Sequence, residues 1–378
     1  MKKGVLILGG GKIGDIISAF LHNCGDYAVT VADRDETGLA RLKAQNGVDT
    51  LKLDVTDEDA LLSALEGKWA VLSALPYNLT PMIARAAAKA EVNYFDLTED
   101  VASTRVVKDL AKDAPVVFMP QSGLAPGFVS IVAYDLARKF DSLQDVNMRV
   151  GALAQYPTNA LKYNLTWSTE GLINEYCEPC EAIVDGNMRE VPPLEELENI
   201  TLDGIAYEAF NTSGGLGTMC ETLAGKVRNL NYKSIRYPGH REMAKMLIRD
   251  LRMNERQDLL KEIFEHALPS TGQDVVFIFV QVSGMKNGRL VQETFTRKVY
   301  NRKIDGREWS GIQITTASGV CGVLDLLATG KLPQKGFIRQ EDVNFNDFIT
   351  NRFGRNYSAE LASGETSSEA ALKLDKAV

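Results

Sequence analysis

The chain has 378 residues, 45% hydrophobic and 24% charged, with a formal net charge of −8. That length suits two domains, and the acidic balance argues against nucleic acid or an anionic membrane as a partner. No stretch approaches the roughly 20 apolar residues of a spanning helix, and the first strand begins too early for a signal peptide. Five cysteines, an odd number, suggest reduced thiols and a cytoplasmic setting.

The apolar run Val5-Leu6-Ile7-Leu8 leads directly into Gly9-Gly10-Gly11-Lys12-Ile13-Gly14, a G-x-G-x-x-G between a predicted strand and a predicted helix. Gly9 permits the tight turn, Gly11 lets a pyrophosphate approach the backbone, and Gly14 lets the helix pack on the sheet. The helix begins at Lys12 and Ile13 and offers its unpaired N–H groups to a diphosphate. Ile16, Ile17, Phe20 and Leu21 give it one apolar face. A second strand, residues 28–32, ends in Asp33, roughly 20 residues past the glycines, where a ribose-binding carboxylate is expected. Asp33 favours NAD, because a 2′-phosphate would bring like charge beside it. Arg34 is either solvated surface or a partner for that phosphate, which keeps NADP as the alternative.

A short strand at 49–53 precedes Asp54, which either approaches the adenine edge or caps the next helix. Thr56 is the expected N-cap of the helix carrying Leu61, Leu62 and Leu65. Residues 69–76 form a buried strand whose end, Ser73, Ala74, Leu75 and Pro76, would face cofactor at the carboxyl edge of the sheet. An alanine-rich helix (80–90), a strand containing Asp96 (93–97) and another strand (115–119) follow. This βαβ rhythm predicts an α/β fold, a Rossmann doubly wound parallel sheet with helices on both faces.

Near Asp145 the pattern changes. Residues 146–150 read as a strand, followed by proline-containing loops and one or two helices. A strong strand at 274–280, the turn signal Asn287-Gly288 and a return strand at 290–300 predict a hairpin, with Val291, Glu293, Phe295, Arg297 and Val299 on one side. The second domain is therefore α+β with a mostly antiparallel sheet. A small-residue helix from Thr315 to Leu324 can pack closely on another element, with Gly330 to cap it and Pro333 to stop it. The expected domains are 1–144 together with 310–357, then 145–309, with 358–378 as a peripheral tail. Cys177-Glu178-Pro179-Cys180 has no second Cys/His pair at zinc spacing, so no metal is expected.

Five segments carry a family resemblance: Gly123-Leu124-Ala125-Pro126-Gly127, Lys162-Tyr163-Asn164, Ser168-Thr169-Glu170-Gly171-Leu172, Glu208-Ala209-Phe210-Asn211-Thr212-Ser213-Gly214-Gly215, and Arg236-Tyr237-Pro238-Gly239-His240. Through them the chain resembles the saccharopine dehydrogenase family, most of all its lysine 6-dehydrogenase branch. The resemblance implies a nucleotide domain that the chain leaves after Gly127 and re-enters with a late helix. It implies NAD or NADP as cofactor and oxidation of a CH–N carbon of lysine or a lysine-derived opine. Hydrolysis of the imine gives 2-aminoadipate 6-semialdehyde, with ammonia released from lysine or glutamate from saccharopine. The saccharopine enzymes usually carry aspartate where this chain has Ala125 and lack Glu170-Gly171-Leu172; both differences point to the lysine branch. A homodimer or larger homo-oligomer is implied as well.

Within those segments Arg236 is the candidate for the carboxylate of an amino acid substrate, since a guanidinium fork suits a planar carboxylate. Thr212 and Ser213, followed by two glycines, would hold substrate or nicotinamide, and Tyr163 would hydrogen-bond substrate. His240, Asp96 and Glu170 are the candidate proton carriers. Each has a structural alternative: an ion pair, a tight turn, core packing or a loop brace. Saccharopine, a tricarboxylate, would draw further on Arg149, Lys162 and Arg241. The alternatives in function are saccharopine dehydrogenase, a related opine or imine reductase, and a nucleotide-binding protein without turnover.

Overall fold

The computed structural model describes residues 2–359, so the expected tail at 358–378 lies almost wholly outside the described residues. The chain divides into two compact units, residues 1–128 with 316–355, and residues 129–315 with those after 355. The first unit opens with β1 (Lys3–Leu8), α1 (Lys12–Asn23), β2 (Tyr27–Asp33), α2 (Glu36–Asn46), β3 (Asp49–Lys52) and α3 (Glu58–Leu65). It continues with β4 (Ala70–Ser73), α4 (Thr80–Lys89), β5 (Asn93–Asp96), α5 (Val101–Ala111) and β6 (Val117–Met119). The second unit runs from α6 (Phe128–Ala137) through β7 (Ser142–Ala154), α7 (Thr169–Cys177), β8 (Cys180–Val184), β9 (Asn187–Val191), β10 (Glu198–Leu202) and β11 (Ile205–Asn211). Then come α8 (Met219–Leu223), β12 (Val227–Arg236), α9 (His240–Lys245), α10 (Gln257–Ala267), β13 (Asp274–Lys286), β14 (Arg289–Tyr300), β15 (Arg302–Ile304) and β16 (Arg307–Trp309). Helix α11 (Gly311–Ala328) leads back to β17 (Gly336–Phe337) and α12 (Phe345–Thr350) of the first unit.

In the first unit seven strands, all parallel, lie in the order β17-β6-β5-β4-β1-β2-β3. A strand with parallel neighbours and helices on both faces must be apolar throughout, and Val5, Leu6, Ile7 and Leu8 are all fully buried. Short polar side chains start the helices: Asp35 accepts from Thr37 N and Asp100 from Ser103 N. The N-cap of α3 is Asp57, which accepts from Ala60 N, and not Thr56 as the sequence suggests. Thr56 instead gives its N–H and its hydroxyl to Asp54. By length and composition α11 is apolar enough to cross a membrane, with a mean hydropathy of 1.4, but 83% of it is buried inside the protein. Its small residues have a packing reason: a Cβ on Gly319 would lie 2.3 Å from Gly123 O.

The second unit holds an eight-stranded mixed sheet, with the path β10-β11-β12-β7-β13-β14 and β8 and β9 attached beside β12. Only β12 with β7 is parallel; the remaining pairs are antiparallel. Four strands occupy 180–211, where the sequence suggests only loops and helices. Their turns are Asp185-Gly186 and Asp203-Gly204, with both residues of each at positive φ. Such Asx-Gly pairs make type I′ turns, whose twist matches the strands they join. Asn287-Gly288 and Asp305-Gly306 share that geometry.

This sheet curls. In a flat sheet β11 and β13 would be three spacings of about 4.8 Å apart, yet the Tyr207 and Phe277 rings meet at 4.9 Å. Arg149 on β7 likewise reaches Glu198 on β10 at 2.9 Å. On a different side of β11, α7, α9 and α10 close over a core containing Tyr163, Tyr176, Phe210, Ala244 and Phe264. Because Gly319 meets backbone rather than a movable side chain, Gly319→Ala should destabilise the protein by about 1–3 kcal/mol. Urea unfolding would register this as a lower midpoint; an unchanged midpoint would mean that α11 does not pack on residues 122–123 this closely.

Candidate active site

The glycine loop is built by contact. A Cβ on Gly14 would lie 1.9 Å from Gly9 O, and Gly9, at φ +103°, would set one 3.0 Å from Ala74 O. Gly11 differs, with nothing within 4 Å of its would-be Cβ, so its backbone is open to an incoming group. Lys12 is exposed and Ile13 half-buried in the first turn of α1. Gly10 N donates to Asp33 Oδ2 at 2.7 Å, and Asp35 N donates to Oδ1 at 3.0 Å. Asp33 thus ties the loop to the end of β2. At the end of β4, Ser73 Oγ is buried without a hydrogen-bond partner; in register Ser73 lies between Leu8 and Asp96. Ala74 and Leu75 continue half-buried and Pro76 exposed. An open glycine, a helix N-terminus and an orphaned hydroxyl on one sheet edge fit a dinucleotide.

Two other residues read as cofactor ligands are placed differently. Arg34 is exposed. Asp54 is exposed too, and hydrogen bonds from Thr56 N and Oγ1 hold its carboxyl below the usual range. It braces the turn into α3.

Asp96 is buried at the carboxyl end of β5. Tyr94 Oη donates to Oδ2 at 2.7 Å, and Gln121 N and Thr98 N donate to Oδ1 at 2.8 and 3.1 Å. Burial pushes its carboxyl up to about 6 against these bonds. The lone pairs of Asp96 are therefore engaged in holding the exits of β5 and β6 together. Three residues on, half-buried Glu99 has its carboxyl pushed up to about 7, first by burial and then by the nearby charges of Asp100 and Asp96. The one sequence signal of Glu99 is an acid in the loop that leaves a sheet strand.

In the second unit Arg236 ends β12 and is 3% exposed. Its Nε donates to Tyr176 Oη at 2.8 Å and its Nη1 to Ile235 O at 2.9 Å. Tyr176 Oη and His240 Nε2 are 2.9 Å apart, and His240 Nδ1 is 2.8 Å from Leu161 O. A carbonyl only accepts, so Nδ1 carries the proton, Nε2 accepts from Tyr176, and Tyr176 accepts from Arg236. The guanidinium also lies over the Tyr163 ring at 5.3 Å, while Tyr163 Oη accepts from Trp167 Nε1 at 3.1 Å. Arg236 makes no ion pair within 4 Å among the described residues, and Nη2 takes no acceptor there. The buried Glu175, one residue before Tyr176, is near enough for its charge to help hold the guanidinium protonated. Neither Tyr176 nor Glu175 stands out in the sequence, where both read as ordinary residues of a helix.

The structure thus joins Arg236, Tyr163 and His240, but it gives His240 the role of a brace. Burial, with the Arg236 charge nearby, pushes the imidazole down to about 3, so it is neutral over the physiological range. Thr212 Oγ1 is 2.8 Å from Ser234 Oγ, and Ser213 Oγ donates to Pro179 O at 2.8 Å; both hydroxyls serve the loop. Glu170 is not part of this group. Burial alone would raise its carboxyl, but the ion pair with Lys261 on α10 outweighs that and holds it low. Of the further cations, Arg149 is paired with Glu198, Arg241 with Glu195 and Glu242, and Lys162 donates to Pro238 O. Burial pushes the thiols of Cys177 and Cys180 up to about 11 and about 12, away from thiolate chemistry.

An all-parallel sheet whose first strand runs into this glycine loop defines a Rossmann-type dinucleotide-binding protein. Residues 5–119 match the saccharopine dehydrogenase NADP binding domain and residues 123–355 the saccharopine dehydrogenase C-terminal domain. The chain belongs to the saccharopine dehydrogenase family, whose members are NAD(P)-dependent oxidoreductases acting on CH–NH donors. It is 20% identical over 336 residues to the mitochondrial alpha-aminoadipic semialdehyde synthase of Bos taurus, covering 82% of this chain and 35% of that protein. It is 24% identical over 200 residues to saccharopine dehydrogenase [NADP(+), L-glutamate-forming] of Saccharomyces cerevisiae, covering 50% of this chain and 44% of that one. The chain therefore spans less than half the length of these two curated relatives. The solved apo saccharopine dehydrogenase (L-Glu forming) of Saccharomyces cerevisiae shares the fold, with a TM-score of 0.78 at 18% identity over 94% of this chain and 98% of that one.

The brace role of His240 has a pH signature. The unfolded chain takes up a proton near pH 6.5, while the folded imidazole resists it down to about 3. Its contribution to stability is therefore full above pH 6.5 and is lost as pH falls, at up to about 1.4 kcal/mol per pH unit. His240→Gln lacks this dependence. The stability gap between wild type and variant, read from urea unfolding, should shrink by about 2 kcal/mol from pH 7 to pH 5. A constant gap would show that His240 titrates normally in the folded protein.

Proposed function

We propose that this chain is an NAD-dependent lysine 6-dehydrogenase, oxidising the CH–N bond at C6 to give 2-aminoadipate 6-semialdehyde and ammonia. The observation that carries the substrate is the account of cations in the second unit. Arg149 and Arg241 are already paired with glutamates, and Lys162 is exposed on a backbone carbonyl. Of these four candidates Arg236 alone combines burial with the lack of an ion-pair partner among the described residues. One such guanidinium suits the single carboxylate of lysine better than the three of saccharopine. Ala125 in place of an acid agrees with this reading.

A bound nicotinamide dinucleotide supplies the hydride acceptor, with Gly9, Gly11, Gly14, Lys12, Ile13, Asp33 and Ser73 as the residues to hold it. Asp33, at the end of β2 beside the glycine loop, supports NAD because a 2′-phosphate would bring like charge beside it; the NADP named for the family domain and the yeast relative is the competing choice. Tyr176 and His240 orient Arg236 toward the substrate carboxylate. Amine oxidation needs a proton acceptor, and Glu99, half-buried in the loop that leaves β5 with burial pushing its carboxyl up to about 7, is our candidate for it.

The deciding assay is initial-rate NADH or NADPH formation with lysine and with saccharopine, each against NAD and NADP. Lysine turnover with NAD and ammonia release is expected; turnover of saccharopine alone, yielding glutamate, would overturn the substrate assignment. Arg236→Ala should raise KM for the amino acid about 100-fold while the dissociation constant of the cofactor stays within about twofold. An unchanged KM would remove Arg236 from substrate binding. With Glu99 as base, kcat should fall as pH drops below about 7, and Glu99→Gln should lose about 100-fold in kcat together with that pH limb. Retention of the limb in the variant would assign the proton to another group.

A further inference from the structure

Two arginines near the junction of β14 and β15 carry charges that the described residues do not answer. Arg297 donates from Nε to Tyr357 O and from Nη1 to Thr296 O, each at 3.0 Å, and its guanidinium lies over the Phe295 ring at 4.7 Å. Arg302 donates from Nη2 to Asn356 Oδ1 at 2.8 Å, while its Nη1 is buried without a hydrogen-bond partner among the described residues. The two side chains thus converge on consecutive residues, Asn356 and Tyr357. That anchor is firm: Tyr357 is fully buried, and its hydroxyl donates to Thr315 O at 2.6 Å. Neither arginine makes an ion pair within 4 Å among the described residues.

Three other arginines of this unit are treated differently by the fold. Arg149 meets Glu198 and Arg241 meets Glu195, and Arg236 has phenols and the charge of Glu175 to hold it protonated. At Arg297 burial lowers the guanidinium, and at Arg302 it pushes the group down to about 10, with no carboxylate charge acting on either. Taking a cation out of water without a counter-charge is costly, so an anion that meets both would bind with a gain. Guanidinium forks suit the oxygens of phosphate and of carboxylate, and charge separates the two. One carboxylate leaves one of the cations unmatched, whereas a phosphate group with one ester bond or none carries about −1.5 to −2 at neutral pH. Both side chains are half-buried, so each keeps some exposure to solvent.

We propose that Arg297 and Arg302 together bind a phosphate group, either inorganic phosphate or the phosphate monoester of a metabolite, beside the segment at residues 356–357. The site lies wholly within the second unit. It uses none of the residues assigned to substrate or dinucleotide, so it stands whether or not lysine is the substrate.

Thermal unfolding of the full chain is the first test, with NADH saturating so that the glycine loop of the first unit is filled, in phosphate against chloride at equal ionic strength. About 10 mM inorganic phosphate should raise the midpoint by about 2 °C. Arg297→Gln and Arg302→Gln should each remove most of that shift, while Arg236→Ala should keep it in full. No shift in the wild type, a shift that survives Arg302→Gln, or one that is lost with Arg236→Ala would overturn the proposal. A second measurement does not depend on the variants folding well. The phosphorus NMR line of inorganic phosphate should broaden when wild type is added under the same conditions, and an unchanged line would count against the site. Glycerol phosphate in place of the free ion separates the sources: binding about tenfold tighter or more assigns a metabolite, and equal binding assigns inorganic phosphate. Glu360, which follows Tyr357 closely in sequence, lies outside the described residues. Phosphate binding by Glu360→Gln but not by wild type would give the two arginines to the chain's own carboxylate and overturn the proposal.

Discussion

The second unit is organised around a positive charge that has been taken out of water with no carboxylate in ion-pair range among the described residues. Burying an ionised group costs several kcal/mol unless it is paired and hydrogen-bonded. Arg236 is 3% exposed and makes no ion pair within 4 Å among the described residues. Its surroundings offset the cost by other means: a phenol oxygen, a backbone carbonyl, the Tyr163 ring face and the charge of Glu175. The orientation of each helper then becomes a requirement. Tyr176 must point its proton away from Arg236, so it needs an acceptor, which is a neutral His240; His240 must present Nε2 unprotonated, so it needs Leu161 O for its other nitrogen.

That chain of requirements accounts for the local sequence. His240 can stand where it does only if the chain turns sharply after β12, and Gly239 makes the turn at φ +94°. The buried Glu208 on β11 pins the same turn, accepting from Gly239 N at 2.8 Å and Arg241 N at 2.6 Å. Tyr237 donates to Ala154 O at the end of β7. Arg-Tyr-Pro-Gly-His is thus one positioning device, and only its first residue has hydrogens left over for a ligand. The first unit shows the same division. Asp33 and Asp96 are held by backbone N–H groups and build the sheet edge, while Ser73 Oγ and the open face of Gly11 are left over.

The Rossmann half was readable because its signals are local and redundant. Buried apolar runs, glycines whose Cβ would collide with backbone, and acids at strand ends all lie within a few residues of what they specify. The second half was read less well for an identifiable reason. Between residues 180 and 211 the strands are short and partly exposed, so hydrophobic alternation is faint. The turn chemistry was the stronger signal there: Asp185-Gly186 and Asp203-Gly204 have the same left-handed pair of φ angles as Asn287-Gly288. The curl of the sheet, which brings Tyr207 to Phe277, depends on side chains three strands apart, and nothing in the spacing of residues encodes it.

Site residues pose a different problem, because residue type says what a group can do and not whether it is already doing it. His240, Thr212, Ser213, Asp96 and Glu170 all have the right chemistry for a proton or a substrate. The fold commits each of them to an internal partner. Arg236 and Arg241 stand five residues apart with the same side chain, yet Glu195 and Glu242 occupy one and, among the described residues, no carboxylate lies within 4 Å of the other. Both glutamates that make this difference are on the surface, where sequence patterns are least constrained. A polar group becomes a site when the surrounding fold fixes its direction and leaves some of its hydrogen-bonding capacity unspent. That remainder is a property of the three-dimensional account of donors and acceptors, and among the candidate site residues considered above it is left on Arg236 in one unit and on Gly11 and Ser73 in the other.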